Sequence, residues 1–328
     1  MLRWGIIGAG GVAKRRTIPG IIKAKGARLR AVMVRDIERA ESIARKFEAE
    51  AWYDRAEGVL EDPEVDVVHV ATPVYLHREF VLGAAEAGKH VLCEKPMALN
   101  SAEAEEMVEA CRRAGVVLML AFVLRFHPGI RALREILNEL GELVLARVQL
   151  LKYAPRRPGE WRLDPRLSGG GVLMDIGSHA LDLLSFLFGE VEEVWAQVGN
   201  RRFSWPVEDT AHVGLKFAGG GFGEAFVSFG VPGMGKFLEV YGTKGSAFVE
   251  AESPHTQGWR ITYGGKVVEV PPADLYREIA EHLARVVGGE EEPLVPGEAG
   301  WYNMKVLEGA YMSAKEGRKV PISSLPVA

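Results

Sequence analysis

The first 123 residues alternate short apolar runs with longer segments in which apolar positions recur at helical spacing. This alternation is typical of parallel strands joined by crossover helices. Asn100 and Glu103 have the spacing of a capping box and mark one helix start. We therefore predict an N-terminal Rossmann domain over residues 1–123, an α/β fold with a doubly wound parallel sheet. The predicted strands are 2–7, 29–34, 65–71, 90–93 and 116–123, and the predicted helices are 38–47, 76–87 and 101–114.

Beyond residue 123 the apolar period changes to two. In residues 212–217, Val213, Leu215 and Phe217 fall on one face while the residues between them fall on the other. Glycine-rich turns separate such runs, which predicts a large antiparallel sheet. Residues 124–328 are therefore predicted to form a C-terminal α+β domain for substrate binding and oligomerisation. The predicted helices of this domain are 127–140, 273–287 and 299–316, and its first predicted strand is 143–151.

Composition narrows the classes of partner. The 328 residues are 48% hydrophobic and 26% charged, with a formal net charge of −4 and a pI near 6.1, so nucleic acid is not an expected partner. We expect no membrane association and a cytoplasmic protein, because the chain shows neither a leader pattern nor a run of about 18 uncharged apolar residues. Cys93 and Cys111 are too few for a disulfide framework and are predicted to be buried thiols. Scarce Asn and Gln favour a heat-adapted protein.

A glycine-rich turn follows the first predicted strand directly. Residues 8–13 read GAGGVA, the pattern G-x-G-x-x-A. Gly8 permits a tight turn, Gly10 allows backbone N–H groups to approach a pyrophosphate, and Ala13 lets the helix pack closely on the strand. Gly11 and Val12 complete the predicted phosphate-binding turn. A plain structural glycine turn is the alternative, but the position between a strand and a helix favours dinucleotide binding.

The end of the second predicted strand is where such domains contact the ribose of the cofactor. Val34 stands there and cannot accept the ribose hydroxyls as an acidic residue would, whereas Arg35 and Arg39 can pair with a 2′-phosphate. This favours NADP over NAD. The alternative is that both arginines are solvated surface charges and that Asp36 contacts the ribose.

Several further motifs together resemble the Gfo/Idh/MocA family of sugar and cyclitol oxidoreductases. They are Glu94-Lys95-Pro96, Ala71-Thr72-Pro73 with His77, residues 169–171 (GGG) leading into residues 175–179 (DIGSH), Glu208-Asp209-Thr210, residues 241–245 (YGTKG), and residues 308–311 (EGAY) with Ser313 and Gly317. The resemblance covers essentially the whole chain.

The resemblance implies hydride transfer between a nicotinamide and a carbon of a sugar, cyclitol or ketoaldose, with Lys95, Asp175 and His179 around the reacting oxygen. It also implies that Lys95-Pro96 can be a cis peptide. Val123 departs from the family pattern, which often has Asn there. The residues expected at the cofactor or substrate, besides the phosphate turn, are Val34, Arg35, Arg39, Ala71, Thr72, Pro73, His77, Glu94, Lys95, Val123, Trp161 and Arg162.

The three predicted catalytic residues make chemical sense by themselves. Oxidation of a carbinol requires a base for the hydroxyl proton, and Asp175 and His179 share a face if residues 175–188 are helical. Lys95 at a strand end can stabilise an alkoxide. Alternatives remain: a surface lysine, a helix cap with a core histidine, or a metal site using the Asp-x-x-x-His pair, for which no further ligand is evident.

The predicted function is an NAD(P)-dependent dehydrogenase or reductase. A catalytically silent cofactor-binding sensor and a glycosidase with tightly held NAD are the alternatives on the same fold. We also expect a homodimer or homotetramer through the second domain, because several of its strands carry apolar residues on both faces, as Phe226 with Val227 and Val240 with Tyr241 do.

Overall fold

A computed structural model describes residues 1–233, 235–251 and 253–325. The chain forms two compact units. Unit 1 comprises Met1–Val123 and Asp274–Trp301, and unit 2 comprises Leu124–Ala273 and Tyr302–Ala328. The last three residues of the predicted second domain, 326–328, lie outside the described residues.

Unit 1 is built on a six-stranded parallel sheet with the order β3-β2-β1-β4-β5-β6, which confirms the predicted Rossmann fold. The capping box is also confirmed, since Asn100 Oδ1 accepts from the Glu103 N–H at 2.8 Å. β3 was not predicted, because three half-exposed residues carry no apolar period. The strands are β1 Leu2–Ile7, β2 Ala27–Met33, β3 Ala51–Tyr53, β4 Val67–Val70, β5 His90–Cys93 and β6 Leu118–Leu120.

The helices of unit 1 flank this sheet. They are α1 Ile18–Lys23, α2 Ile37–Phe47, α3 Ala56–Leu60, α4 His77–Glu86, α5 Ser101–Ala114 and α9 Leu275–Val287, numbered in chain order, with a π-helical turn at Ala13–Thr17 before α1.

The predicted boundary between the domains is wrong for residues 274–301, which pack in unit 1. α9 lies against α1 at Gly20, where an added Cβ would stand 2.7 Å from the backbone of Tyr276. Further along, the Leu120 N–H donates to the Val295 carbonyl at 3.0 Å. Residues 274–301 therefore pack in unit 1 for two reasons. Gly20 lets α9 approach α1 closely, and a backbone hydrogen bond joins Val295 to β6.

Unit 2 contains a nine-stranded sheet with the order β14-β13-β12-β11-β7-β10-β9-β8-β15. The sheet is antiparallel as predicted, except that β10 pairs with β7 in parallel. Its strands are β7 Leu143–Leu151, β8 Val191–Gly199, β9 Thr210–Phe217, β10 Phe222–Ser228, β11 Lys236–Gly242, β12 Gly245–Glu250, β13 Trp259–Tyr263, β14 Lys266–Val270 and β15 Val320–Pro321, and its helices are α6 Pro128–Leu137, α7 Pro165–Ser168 and α8 Ser178–Phe188. The last helix, α10, spans Gly297–Glu316 and enters unit 2 at Tyr302.

One face of the large sheet is apolar and buried, and the other is polar at its centre. Val213, Leu215 and Phe217 lie in the core as predicted. On the other face Arg147 pairs with Glu224 at 2.7 Å, and the same carboxyl group contacts His212 at 2.8 Å. The apolar face on which we based oligomerisation is therefore interrupted by charges.

The segment Pro165–Phe188 is long and apolar enough to cross a membrane by length and composition, and its most apolar 18-residue window has a mean hydropathy of 1.4. Two thirds of that window is buried inside the structure, as is usual for a core helix of a globular protein. Cys93 and Cys111 are both buried free thiols, which confirms that prediction.

Candidate active site

The predicted cofactor residues of unit 1 gather at one edge of its sheet. Gly8 follows β1, Val34 follows β2, Ala71 follows β4 and Glu94 follows β5. Because these strands are parallel, the four positions share the carboxyl-end edge, which is where open α/β sheets bind ligands.

The glycine-rich turn has the geometry of a phosphate-binding turn. Gly8 adopts φ +89°, and an added Cβ would stand 2.9 Å from the Ala71 backbone, so only glycine fits between β1 and β4. Ala13 is fully buried and begins the π-helical turn, whose start has no side-chain cap among the described residues. The Lys14 N–H donates to the Gly10 carbonyl at 3.0 Å, so the N–H groups left for an anion precede Lys14, and the residues present fit a dinucleotide pyrophosphate.

The residues at the end of β2 divide into one buried and two exposed side chains. Val34 is buried, whereas Arg35 and Arg39 are exposed. An Arg39 guanidinium nitrogen lies 3.3 Å from the position that a Cβ on Gly10 would occupy, so this side chain reaches over the phosphate turn. Asp36 instead caps α2 by accepting from the Arg39 N–H at 3.0 Å. Its carboxylate thus already has a structural role.

His77 joins the segments that follow β4 and β5. Its Nε2 lies 3.0 Å from the Thr72 carbonyl oxygen, and its Nδ1 lies 3.0 Å from that of Pro96 and 3.2 Å from that of Met97. Burial lowers the pKa of His77, and these carbonyl acceptors oppose that shift. The ring is buried, and these three contacts support both segments.

The segment that His77 supports carries Lys95. The Lys95–Pro96 peptide is cis, as the resemblance implied. Lys95 is half-buried, and Glu94 is 7% exposed. Val123 is buried, at 2% exposure. After the neighbouring strand β4, Thr72 Oγ1 is buried without a hydrogen-bond partner among the residues that the structure describes. An orphaned hydroxyl beside Pro73 is a further observation that fits a polar ligand at this edge.

Asp175, in unit 2, lies among arginines. The segment that must be helical for Asp175 and His179 to share a face begins as a π-helical turn, Leu173–Gly177, and continues as α8. Asp175 Oδ2 lies 2.6 Å from the Arg156 guanidinium and 4.0 Å from that of Arg162, which is itself stacked 4.3 Å over the Trp161 ring. Asp175 is therefore paired with guanidinium groups.

His179 lies one helical turn after Asp175 and is buried. Its ring stands edge-on to that of His255, with 4.8 Å between the centroids. Orientation of His179 by Asp175 stays a prediction.

Three separate motifs meet at the start of the segment that carries Asp175. Glu208 accepts from the N–H groups of Gly171 at 2.9 Å and Leu173 at 3.0 Å, and from the Tyr311 hydroxyl at 2.8 Å. An added Cβ on Gly171 would lie only 2.0 Å from the Glu208 carbonyl oxygen. Burial raises the pKa of Glu208, and these donors oppose that shift. Glu208 and Tyr311 thus stabilise the turn that precedes Asp175.

No motif or period pointed to Arg156, His255 or Tyr276, which the structure places beside Asp175, His179 and Glu94 respectively. The two residues of each pair are 19 to 182 positions apart in the sequence, which is too far for a helix or strand period to connect them. Within residues 1–233, 235–251 and 253–325, no group of three His, Cys, Asp or Glu side chains is placed to hold a metal ion.

The fold and the phosphate turn define a dinucleotide-binding oxidoreductase. The family model described as "Oxidoreductase family, NAD-binding Rossmann fold" matches residues 2–122, and the "GFO/IDH/MocA C-terminal domain" model matches residues 130–248. The chain belongs to the GFO/IDH/MocA oxidoreductase family.

Named relatives align over nearly the whole chain. 1,5-Anhydro-D-fructose reductase of Ensifer adhaerens is 33% identical, covering 99% of both chains. D-Xylose 1-dehydrogenase (NADP(+)) 2 of Haloferax volcanii is 31% identical, covering 98% of this chain and 100% of its own. The crystal structure of an aldose-aldose oxidoreductase from Caulobacter crescentus, complexed with glycerol, has a TM-score of 0.88 and 31% identity, covering 98% of this chain and 99% of that one.

Proposed function

We propose that this protein transfers a hydride between NADP and a hydroxyl-bearing carbon of a sugar, cyclitol or ketoaldose. The observation that carries the proposal is the edge of the unit 1 sheet, where an uncapped helix start, the orphaned Thr72 hydroxyl and Lys95 follow neighbouring strands. The carbohydrate class is supported by relatives whose names specify anhydrofructose, xylose and aldose.

We assign the acid–base chemistry to three side chains. His179 takes the hydroxyl proton, and Asp175, which Arg156 contacts at 2.6 Å, stabilises the resulting imidazolium. Lys95 stabilises the negative charge that develops on the reacting oxygen. When bound, the dinucleotide supplies or accepts the hydride at its nicotinamide ring.

The preference for NADP follows from the end of β2. The buried Val34 side chain offers the ribose no acceptor, and Asp36 is engaged as a helix cap. Arg39 over the phosphate turn and exposed Arg35 offer guanidinium groups to a 2′-phosphate. We expect NADP to bind roughly tenfold more tightly than NAD, near the lower end for a charge-assisted contact because both arginines are solvated.

A substrate screen tests the proposed reaction. Sugars, inositols and ketoaldoses are incubated with each cofactor, and the nicotinamide absorbance is followed. Lys95→Met and His179→Ala should each lower kcat by at least a hundredfold while cofactor affinity changes less than threefold. Lys216→Met, which removes an exposed ion pair with Glu192, is the control and should keep the wild-type rate. Near-normal turnover in both site variants would exclude the assigned catalytic residues.

Titration of the cofactors tests the preference. Calorimetry with wild type and with Val34→Asp combined with Arg35→Ala should show NADP favoured in the first and NAD in the second. Equal or NAD-favouring affinity in the wild type would overturn the NADP assignment and leave the oxidoreductase function intact.

We further propose a cytoplasmic, heat-stable homodimer or homotetramer that associates through unit 2. Phe222, 58% exposed on β10 and on the same face as Glu224, supports an interface on that face of the large sheet. Sedimentation at micromolar concentration should show a dimer or tetramer, and a species of 35.9 kDa alone would contradict this.

A further inference from the structure

An imidazole lies inside unit 1, directly behind the segment that carries Lys95. His69 belongs to β4, where it is in register with Ile6 of β1 and Leu92 of β5, and none of its surface is exposed. Neither ring nitrogen has a hydrogen-bond partner among the described residues. An apolar side chain would fill such a position at less cost, because a buried polar group without a partner destabilises the fold.

The group that this imidazole approaches is Glu94. His69 Nε2 lies 3.5 Å from Glu94 Oε1, and Oε1 itself has no hydrogen-bond partner within the part of the chain that the structure describes. Tyr276 of α9 lies beside the same carboxylate, and burial, together with the charge of Glu94, raises the pKa of Tyr276. A buried carboxylate needs donors, so a hydroxyl on one side and an imidazole on the other complete its surroundings.

We propose that His69 is a positioning residue, whose Nε2–H donates to Oε1 of Glu94 and fixes this carboxylate next to Lys95. A carboxylate only accepts, so this contact requires a proton on Nε2, and of the two neutral tautomers only the Nε2–H form can make it. At 3.5 Å the contact is long for a hydrogen bond, and we infer that it shortens when the site is occupied. Because Glu94 and Lys95 are consecutive, a displaced Glu94 side chain displaces the backbone that carries the Lys95 ammonium.

This inference rests on the proposed role of Lys95, so its test combines two amide variants with a readout independent of turnover. Glutamine places its amide nitrogen where histidine has Nε2, whereas asparagine places it where histidine has Nδ1. His69→Gln should keep kcat within threefold of wild type, and His69→Asn and His69→Leu should lower kcat at least tenfold with the KM for cofactor changed less than threefold. Thermal midpoints are measured in parallel. Both amides bury a similar polar group, so the Gln and Asn variants should have similar stability, and a difference in kcat between them then reports the position of the donor.

Two further measurements complete the test. In a Glu94→Ala background, His69→Leu should have no additional effect on kcat, since the acceptor that His69 positions is gone. In the wild-type protein, nitrogen NMR of labelled histidines, with the His69 signal assigned by its loss in His69→Leu, should show a neutral ring protonated at Nε2.

Equal kcat in the Gln, Asn and Leu variants, or a proton on Nδ1, would overturn the inference. If no sugar or cyclitol is turned over at all, the proposed function fails, but the tautomer measurement still decides whether His69 donates to Glu94.

Discussion

Replacing Tyr311 by phenylalanine removes one hydroxyl that makes two contacts at the start of the segment carrying Asp175. The hydroxyl donates to the Glu208 carboxylate at 2.8 Å and accepts from the Met174 N–H at 3.2 Å. A hydrogen bond to a charged group contributes about 1.5–3 kcal/mol, and the weaker contact adds less. We therefore expect Tyr311→Phe to lower the free energy of unfolding by about 2–4 kcal/mol, measured by urea unfolding monitored by tryptophan fluorescence.

The effect of Tyr311→Phe should depend on pH. Burial raises the pKa of Glu208 and the Tyr311 hydroxyl opposes this, so loss of the hydroxyl raises that pKa further. A carboxyl with a raised folded-state pKa costs stability above that pKa, and the cost disappears as pH falls through it. The difference from wild type should thus be largest at neutral pH and shrink toward pH 4.

Tyr302→Phe is the matched control for this prediction. The Tyr302 hydroxyl accepts from the neutral Val191 N–H at 2.6 Å and contacts no carboxylate in the described structure, so its loss should cost about 1 kcal/mol at every pH. A Tyr311→Phe difference below about 0.5 kcal/mol at neutral pH, or one that is unchanged at pH 4, would refute the reasoning.

Three further predictions concern other described groups. Asp182→Leu should cost about 3–5 kcal/mol because it removes a buried carboxylate that pairs with the Arg125 guanidinium at 2.6 Å, whereas adding Arg125→Met should recover part of that loss in the same unfolding assay; additive losses would contradict coupling. Burial raises the pKa of Cys111 to about 12 and that of Cys93 above its usual value, so a disulfide reagent at pH 8 should label neither thiol before unfolding; rapid labelling of the native protein would contradict this. Arg39→Ala should weaken NADP roughly tenfold and leave NAD unchanged in calorimetry; equal losses would place Arg39 elsewhere than at the 2′-phosphate.

The fold was largely predictable from periodicity, and the exceptions have physical causes. Strands and helices with strong apolar periods, such as Leu143–Leu151 and Ser101–Ala114, appear at the predicted residues. The three-residue β3 was missed because it is too short to show a period. Membership of α9 in unit 1 was also missed, since the close contact at Gly20 depends on residues more than 250 positions apart.

The candidate site was predictable as a set of motifs, but the sequence does not separate side chains that contact a ligand from those that support them. His77 was predicted at the cofactor, yet its ring is buried against three backbone carbonyls and acts on Thr72 and Met97. Glu208 and Tyr311 are 103 positions apart and form one bonded pair. A motif residue that supports a turn is constrained as strongly as one that contacts substrate, because a catalytic group needs its position fixed to a fraction of an ångström. Burial and bonding partners, which only the folded chain supplies, distinguish the two roles.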